Sequence, residues 1–233
     1  MNILGFEIKR SVDMATPATG AHVQDTQPSV PLSKAQPRVE LGDSGTKMLG
    51  GFITQEYNGT LRGQNGIKVY DEMRQSDGTV RAAMLVTTLP IRRAIYMIKP
   101  GTQDKQGEEI ADFVKKNLFE WLDLAWDDVI RQALLMVPFG VMVFEKVYGV
   151  KEVKGKKYIV LSKLAPRLPV SIQSWELTDK TFGVQQVLQA GGVAEIPGSK
   201  LVIFVNEREG NNWWGTSMLR ATYKHWFFKD TFY

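Results

Sequence analysis

At Pro138-Phe139-Gly140 the hydrophobic pattern of this 233-residue chain changes period. Upstream, Ile110, Phe113, Val114, Leu118, Trp121, Leu122 and Ala125 recur at helical spacing, with Glu108, Asp112, Lys115 and Lys116 on the opposite face. A further helix is expected from Trp126 through Val129, Ile130, Ala133, Leu134 and Val137, ending at the Pro-Phe-Gly break. Downstream, the pattern is mostly that of strands. Val141–Tyr148 and Lys157–Leu164 flank a Lys/Gly-rich turn and read as a hairpin. Strands are also expected over Val170–Leu177, Phe182–Gln189, Val193–Ile196 and Leu201–Asn206, divided by turn residues. This arrangement gives an α+β fold, helices packed on mixed or antiparallel strands.

The segments before the long helix are shorter. Asn65-Gly66 opens a short helix over Ile67–Arg74. Ser76 or Asp77 caps a second, Thr79–Leu89, which Pro90 is expected to close. Ile91–Ile98 alternates with basic residues and predicts a strand, stopped by Pro100-Gly101. After the loop Glu207–Trp214, a last helix is expected from about Thr216 and is still running at Tyr233. An amphipathic helix without a cap at the end of a chain is expected of a fragment of something longer.

Residues 1–47 differ in kind. They hold Pro17, Pro28, Pro31 and Pro37, a single aromatic (Phe6), and basic and acidic side chains in balance. Such a segment buries too little apolar area to offset its ordering entropy. It reads as a disordered tail or as an extended arm that orders against a neighbouring subunit. The domain division is therefore an arm over 1–47, an α/β domain over 48–214, and the start of a helix over 215–233.

Composition narrows the chemistry. There is no cysteine, which excludes disulfides, thiolate metal sites and a cysteine nucleophile. The apolar run Ala133–Phe144 contains Pro138 and Gly140 and falls short of the roughly 18 residues of a membrane span. A secretory signal is not recognisable at the N-terminus. Gly192–Lys200 superficially resembles a phosphate loop, but its spacing is wrong and a strand follows where a helix must begin. Gly215-Thr216-Ser217-Met218-Leu219 lacks the second glycine of a nucleophile elbow, and Ser217 reads as a helix-start residue. His22 and His225 are too sparse for a metal site or proton relay. Asp127-Asp128 point about 100° apart on a helix and suit its first turn. No set of nucleophile, base and oxyanion donors assembles, so no enzymatic activity, cofactor or metal is expected. The net charge of +4 is mild. Lys151, Lys154, Lys156 and Lys157 form a basic hairpin tip, and Arg220, Lys224 and Lys229 lie on the last helix. With a pI of 9.1, these keep a sequence-independent DNA-binding module open as an alternative, and a hydrolase with an unrecognised site as a third reading.

Three stretches together resemble portal proteins of tailed bacteriophages, specifically the Mu-type group. The first joins Val69-Tyr70-Asp71-Glu72-Met73 to Ser76-Asp77-Gly78-Thr79-Val80-Arg81-Ala82-Ala83 and Leu89-Pro90-Ile91. The second is the junction of helix, Gly140 and the glutamate-bearing strand Val141–Tyr148. The third is Leu201-Val202-Ile203-Phe204, a polar loop, then Gly215-Thr216-Ser217-Met218-Leu219-Arg220 and the aromatic-rich helix through Trp226 to Lys229. The resemblance covers roughly Gly66 to Tyr233.

It implies a portal wing domain from a ring of usually twelve subunits at one vertex of the phage head. Such a ring is a conduit for double-stranded DNA in packaging and ejection. Its implied partners are other copies of the chain, the major capsid protein, the terminase large subunit and head-tail adaptor or neck proteins, with no membrane. The implied location is the virion, with assembly in the host cytoplasm. The stem, clip and tunnel loop of such proteins are not in this sequence, so the resemblance assigns no DNA-contacting residue. Met218, Leu219, Thr222, Tyr223 and Trp226 fall on one wide helical face, suited to a core or to a neighbour. Trp213 and Trp214 sit in a polar loop, where large aromatics are enriched at interfaces. Trp213, Trp214, Gly215, Ser217, Arg220, Tyr223 and Trp226 are therefore the candidate subunit or partner contacts.

Overall fold

The computed structural model describes residues 45–232 apart from 47, 50–51, 54–55, 154 and 179–180; the expected arm falls almost wholly outside the described residues. A two-residue antiparallel pair, β1 (Met48–Leu49) and β2 (Phe52–Ile53), comes first. The helices follow: α1 (Gly63–Ser76), α2 (Gly78–Arg92), α3 (Lys105–Phe119), α4 (Trp126–Ala133) and the single turn α5 (Met136–Phe139). Then come β3 (Val141–Val153), β4 (Lys156–Arg167), β5 (Ile172–Thr178), β6 (Thr181–Val187), β7 (Val193–Pro197), β8 (Leu201–Val205) and a closing helix, α6 (Tyr223–Phe232). The fold is α+β, with the switch from helix to strand at Gly140.

The strands make two larger antiparallel sheets, ordered β4-β3-β8 and β5-β6-β7. Strand β3 organises the unit because both faces of its first four residues are buried. Val141 and Val143 point to one side, with Ile172, Trp175, Val184, Ile196 and Leu201. Met142 and Phe144 point to the other, with Val129, Ala133 and Leu164. All four are wholly inaccessible to solvent, as the two-residue period of a strand between two layers demands. One face packs on the second sheet and the other on α4. A third core joins Ile67, Tyr70 and Met73 of α1 to Phe139, Leu219, Tyr223 and Trp226. Leu219, Tyr223 and Trp226 thus pack against α1, within the same compact unit as residues 44–214.

Four expectations need correction. Pro90 does not close α2, which runs on to Arg92. A proline in the last turn removes one N–H and one bond, and the turn still closes through Arg93 N–H to Leu89 O at 3.0 Å. Ile91–Ile98 is not a strand: its start completes α2 and the rest runs on without a ladder partner. An alternating pattern makes a strand only where another edge supplies hydrogen bonds. The long helix stops at Phe119 rather than Ala125. The chain there turns to serve the open edge of β4, with Asp123 N–H donating to Ser162 O (2.9 Å) and Leu161 N–H to Asn117 Oδ1 (3.0 Å). Finally, the last helix does not begin at Thr216; a short turn, Met218–Arg220, precedes α6.

Candidate contact site at the loop-to-helix junction

The loop leaving β8 returns to α5 through a crossing of two glycines. Gly140 has φ 88° and Gly215 has φ 61°, left-handed conformations that cost other L-residues about 1–2 kcal/mol. A Cβ on Gly140 would lie 2.4 Å from Trp214 O, and one on Gly215 would lie 2.4 Å from Gly140 O. Hydrogen bonds hold the two backbones together. Asn206 N–H donates to Gly140 O (2.8 Å), Thr216 N–H to Asn206 O (2.9 Å), and Asn206 Nδ2 to Thr216 O (2.8 Å). The buried Ser217 hydroxyl donates to Pro138 O at 2.5 Å and accepts from Leu219 N–H at 3.1 Å. It caps the turn Met218–Arg220, the helix-start role expected of it.

The paired tryptophans go to different places. The Trp213 ring has the Arg208 guanidinium carbon 3.6 Å from its centroid and Phe182 at 4.5 Å. It belongs to the core between the sheets. Trp214 meets Trp175 edge-on at 5.6 Å and packs against both that core and the α1 core. Both side chains are half-buried. Cation–π and aromatic contacts of this kind contribute about 0.5–1.5 kcal/mol each.

Arg220 anchors the other side. Its guanidinium makes a two-point pair with Glu56, through Nε to Oε2 and Nη2 to Oε1 (2.9 Å), and lies 4.9 Å from the Tyr57 ring. The Glu56 carboxylate pushes the Arg220 pKa still further up from its ordinary value. Burial, with the Glu56 charge nearby, pushes the Tyr70 hydroxyl up to about 12. Glu56, Tyr70, Glu207, Trp214 and Arg220 share an open cleft of about 830 Å³. Glu207 starts the loop with φ 46°, unusual for a side-chain-bearing residue.

The candidate residues therefore divide. Trp214, Gly215, Ser217 and Arg220 line the cleft, and Trp213 backs onto the second sheet. Ser217, Tyr223 and Trp226 are buried inside the chain. Glu56 and Tyr57, 164 and 163 residues from Arg220 along the chain, carried no motif that marks them as its partners. The hairpin tip turns Lys151 onto the Trp121 ring, 5.3 Å away, and leaves Lys156 and Lys157 exposed. Gly198–Lys200 is one short turn feeding β8. Among the described residues no group of three acidic or histidine side chains is placed to hold a metal ion. None of their helices is long and apolar enough to cross a membrane. His22 lies outside the described residues.

One more long-range pair ties α6 to α2. Asp77 caps α2, accepting from Thr79 N–H (2.7 Å) and Val80 N–H (3.2 Å), and Lys229 Nζ donates to it at 2.9 Å. The Lys229 ammonium, then the two N–H groups, hold Asp77 below the usual carboxylate range against the opposing effect of burial. A depressed folded-state pKa contributes stability that is complete above the unfolded value, about 4, and is lost as pH falls through the folded one. Asp77→Asn keeps the capping oxygen but not the charge. Thermal melts from about pH 2.5 to 6 should show the native chain more stable above about pH 5 and the two converging in acid. Parallel curves across that range would remove the charge from this account.

These features define an α+β protein in which tight backbone crossings and distant ion pairs hold its elements together. A family model described as the portal protein of Mu bacteriophage matches residues 67–233. That is most of the chain, which belongs to this family and is a phage portal protein of Mu type. The match starts one residue from where the sequence resemblance does.

Proposed function

We propose that this chain is the subunit of a closed ring, usually of twelve copies, at one vertex of a phage head. The ring serves as conduit for double-stranded DNA in packaging and ejection. It also docks the major capsid protein, the terminase large subunit and head-tail adaptor proteins. The family match over residues 67–233 carries this reading. The mechanism is geometric: a head-to-tail contact that closes on itself leaves an axial channel, and the work of translocation belongs to the terminase. The described residues serve this role as a rigid scaffold, since β3 is clamped between two packed layers. Trp213, Trp214, Gly215 and Arg220 present the accessible part of the loop-to-helix junction to a neighbour or partner, while Ser217, Tyr223 and Trp226 hold its shape.

Negative-stain microscopy of the full-length protein tests this directly. Rings of uniform diameter with a central hole are expected. A chain that stays monomeric at all concentrations, and binds duplex DNA with a steep salt dependence, would replace the ring with the DNA-binding module.

A further inference from the structure

We propose that the ridge formed by α2 and residues 94–99 is the face on which a second copy of this chain docks, through the acidic outer side of that copy's α3 and α4. This rests on the ring reading above and names its contact.

Helix α2 packs on the α1 core through the partly buried Val80 and Met84. None of its residues is buried, and Leu85, Val86 and Leu89 are exposed, Val86 at 73%. Its sequence includes Thr79, Val80, Val86, Thr87, Thr88, Pro90 and Ile91, β-branched residues and a proline that disfavour helix. A helix of this length and composition is marginal in water unless its apolar side is covered. The apolar surface continues past the helix, with Ile95 87% and Met97 64% exposed. Tyr96 turns inward to meet Trp126 edge-on at 6.2 Å, which fixes the segment in place and turns its neighbours out. Beyond Ala94, none of the backbone N–H groups up to Lys99 has a hydrogen-bond partner among the described residues. Apolar side chains and unpaired backbone on one ridge call for a protein surface, since nucleic acid would leave the apolar side chains uncovered.

Charge chooses which protein surface. Arg81, Arg92, Arg93 and Lys99 are the charged residues between Gly78 and Gln103. None of the four forms an ion pair among the described residues. Ridge against ridge would set these cations against themselves, which excludes a two-fold contact and requires a different, acidic patch on the partner copy. The chain supplies one: residues 104–131 carry eight acidic side chains against four basic ones. Although Lys105 and Lys115 are exposed there too, Glu108, Glu109 and Asp127 are exposed and without an ion pair among the described residues, beside the exposed Ile110 (56%) and Phe119 (37%). A basic apolar ridge meeting an acidic apolar patch is a heterologous contact, the kind that generates rings.

The chain has no cysteine, so introduced ones report cleanly. Full-length Val86→Cys and Ile110→Cys proteins, mixed and oxidised, should give a cross-linked pair that neither forms alone. Arg92→Glu with Arg93→Glu should raise the concentration needed for assembly about tenfold or more, as should Glu108→Lys with Glu109→Lys. Combining the two charge swaps should restore assembly while circular dichroism stays unchanged throughout. Rings that form normally from either swapped protein, or no rescue in the combination, overturn this contact and leave the ring reading standing. A native chain that never assembles overturns both. Loss of duplex DNA retention with assembly intact makes the ridge a nucleic-acid face instead.

Discussion

Gly140→Ala is expected to destabilise the chain by about 3 kcal/mol or more. Two costs add. The residue sits at φ 88°, where a side chain costs about 1–2 kcal/mol by itself. The new methyl would then lie 2.4 Å from Trp214 O, with Gly215 C at 3.2 Å and Ser217 N at 3.3 Å. All three of these neighbours are backbone atoms, so no side chain can swing away. Moving the strand is no remedy, because Gly140 N–H donates to Met136 O (2.7 Å) and its carbonyl accepts from Asn206. Gly215→Ala meets the same obstacle from the opposite side, against Gly140 O and Asn206 O. The two changes break one crossing, so the double variant should lose less than the sum of the singles. Gly78→Ala is the control: at the start of α2, nothing lies within 4 Å of its Cβ, and it should be neutral or slightly stabilising. Urea denaturation of the full-length chain measures all four. A Gly140→Ala chain within about 0.5 kcal/mol of native would show that the crossing is looser than its geometry.

Phe144→Ala should cost about 3–5 kcal/mol, the range for a large aromatic deleted from a packed core. Phe144 is wholly inaccessible to solvent and meets Phe204 edge-on at 5.9 Å. It lies in the middle of the β4-β3-β8 sheet, paired with Pro166 on one side and Val202 on the other. With hydrogen-bonded strands on both flanks and α4 above, the space left cannot collapse. Phe144→Leu retains most of the volume and should cost much less, about 1 kcal/mol. Ile159→Ala, on the same sheet but 74% exposed, should be close to neutral. Equal midpoints in chemical denaturation for Phe144→Ala and Ile159→Ala would contradict the three-layer packing around β3.

Much of this architecture was legible locally. The period change at Gly140, the hairpin after it, the Asp77 cap and the acidic first turn of α4 all follow from spacing and side-chain chemistry within a few residues. The portal resemblance lay in the same stretches, because short-range patterns are what a family shares. What stayed hidden was set by partners far along the chain. Ile91–Ile98 alternates as a strand does, yet alternation records only that an extended segment would be two-faced; it names no edge to pair with. The long helix keeps its apolar spacing to Ala125, but the open edge of β4 draws the chain out of the helix after Phe119. Trp213 and Trp214 are identical and adjacent in sequence. Tertiary packing alone sends one to the inter-sheet core, under Arg208, and makes the other the bridge to the α1 core. Arg220 finds Glu56 across 164 residues, a choice no local spacing encodes. Periodicity decided which residues turn inward, and the folded backbone decided what they meet there.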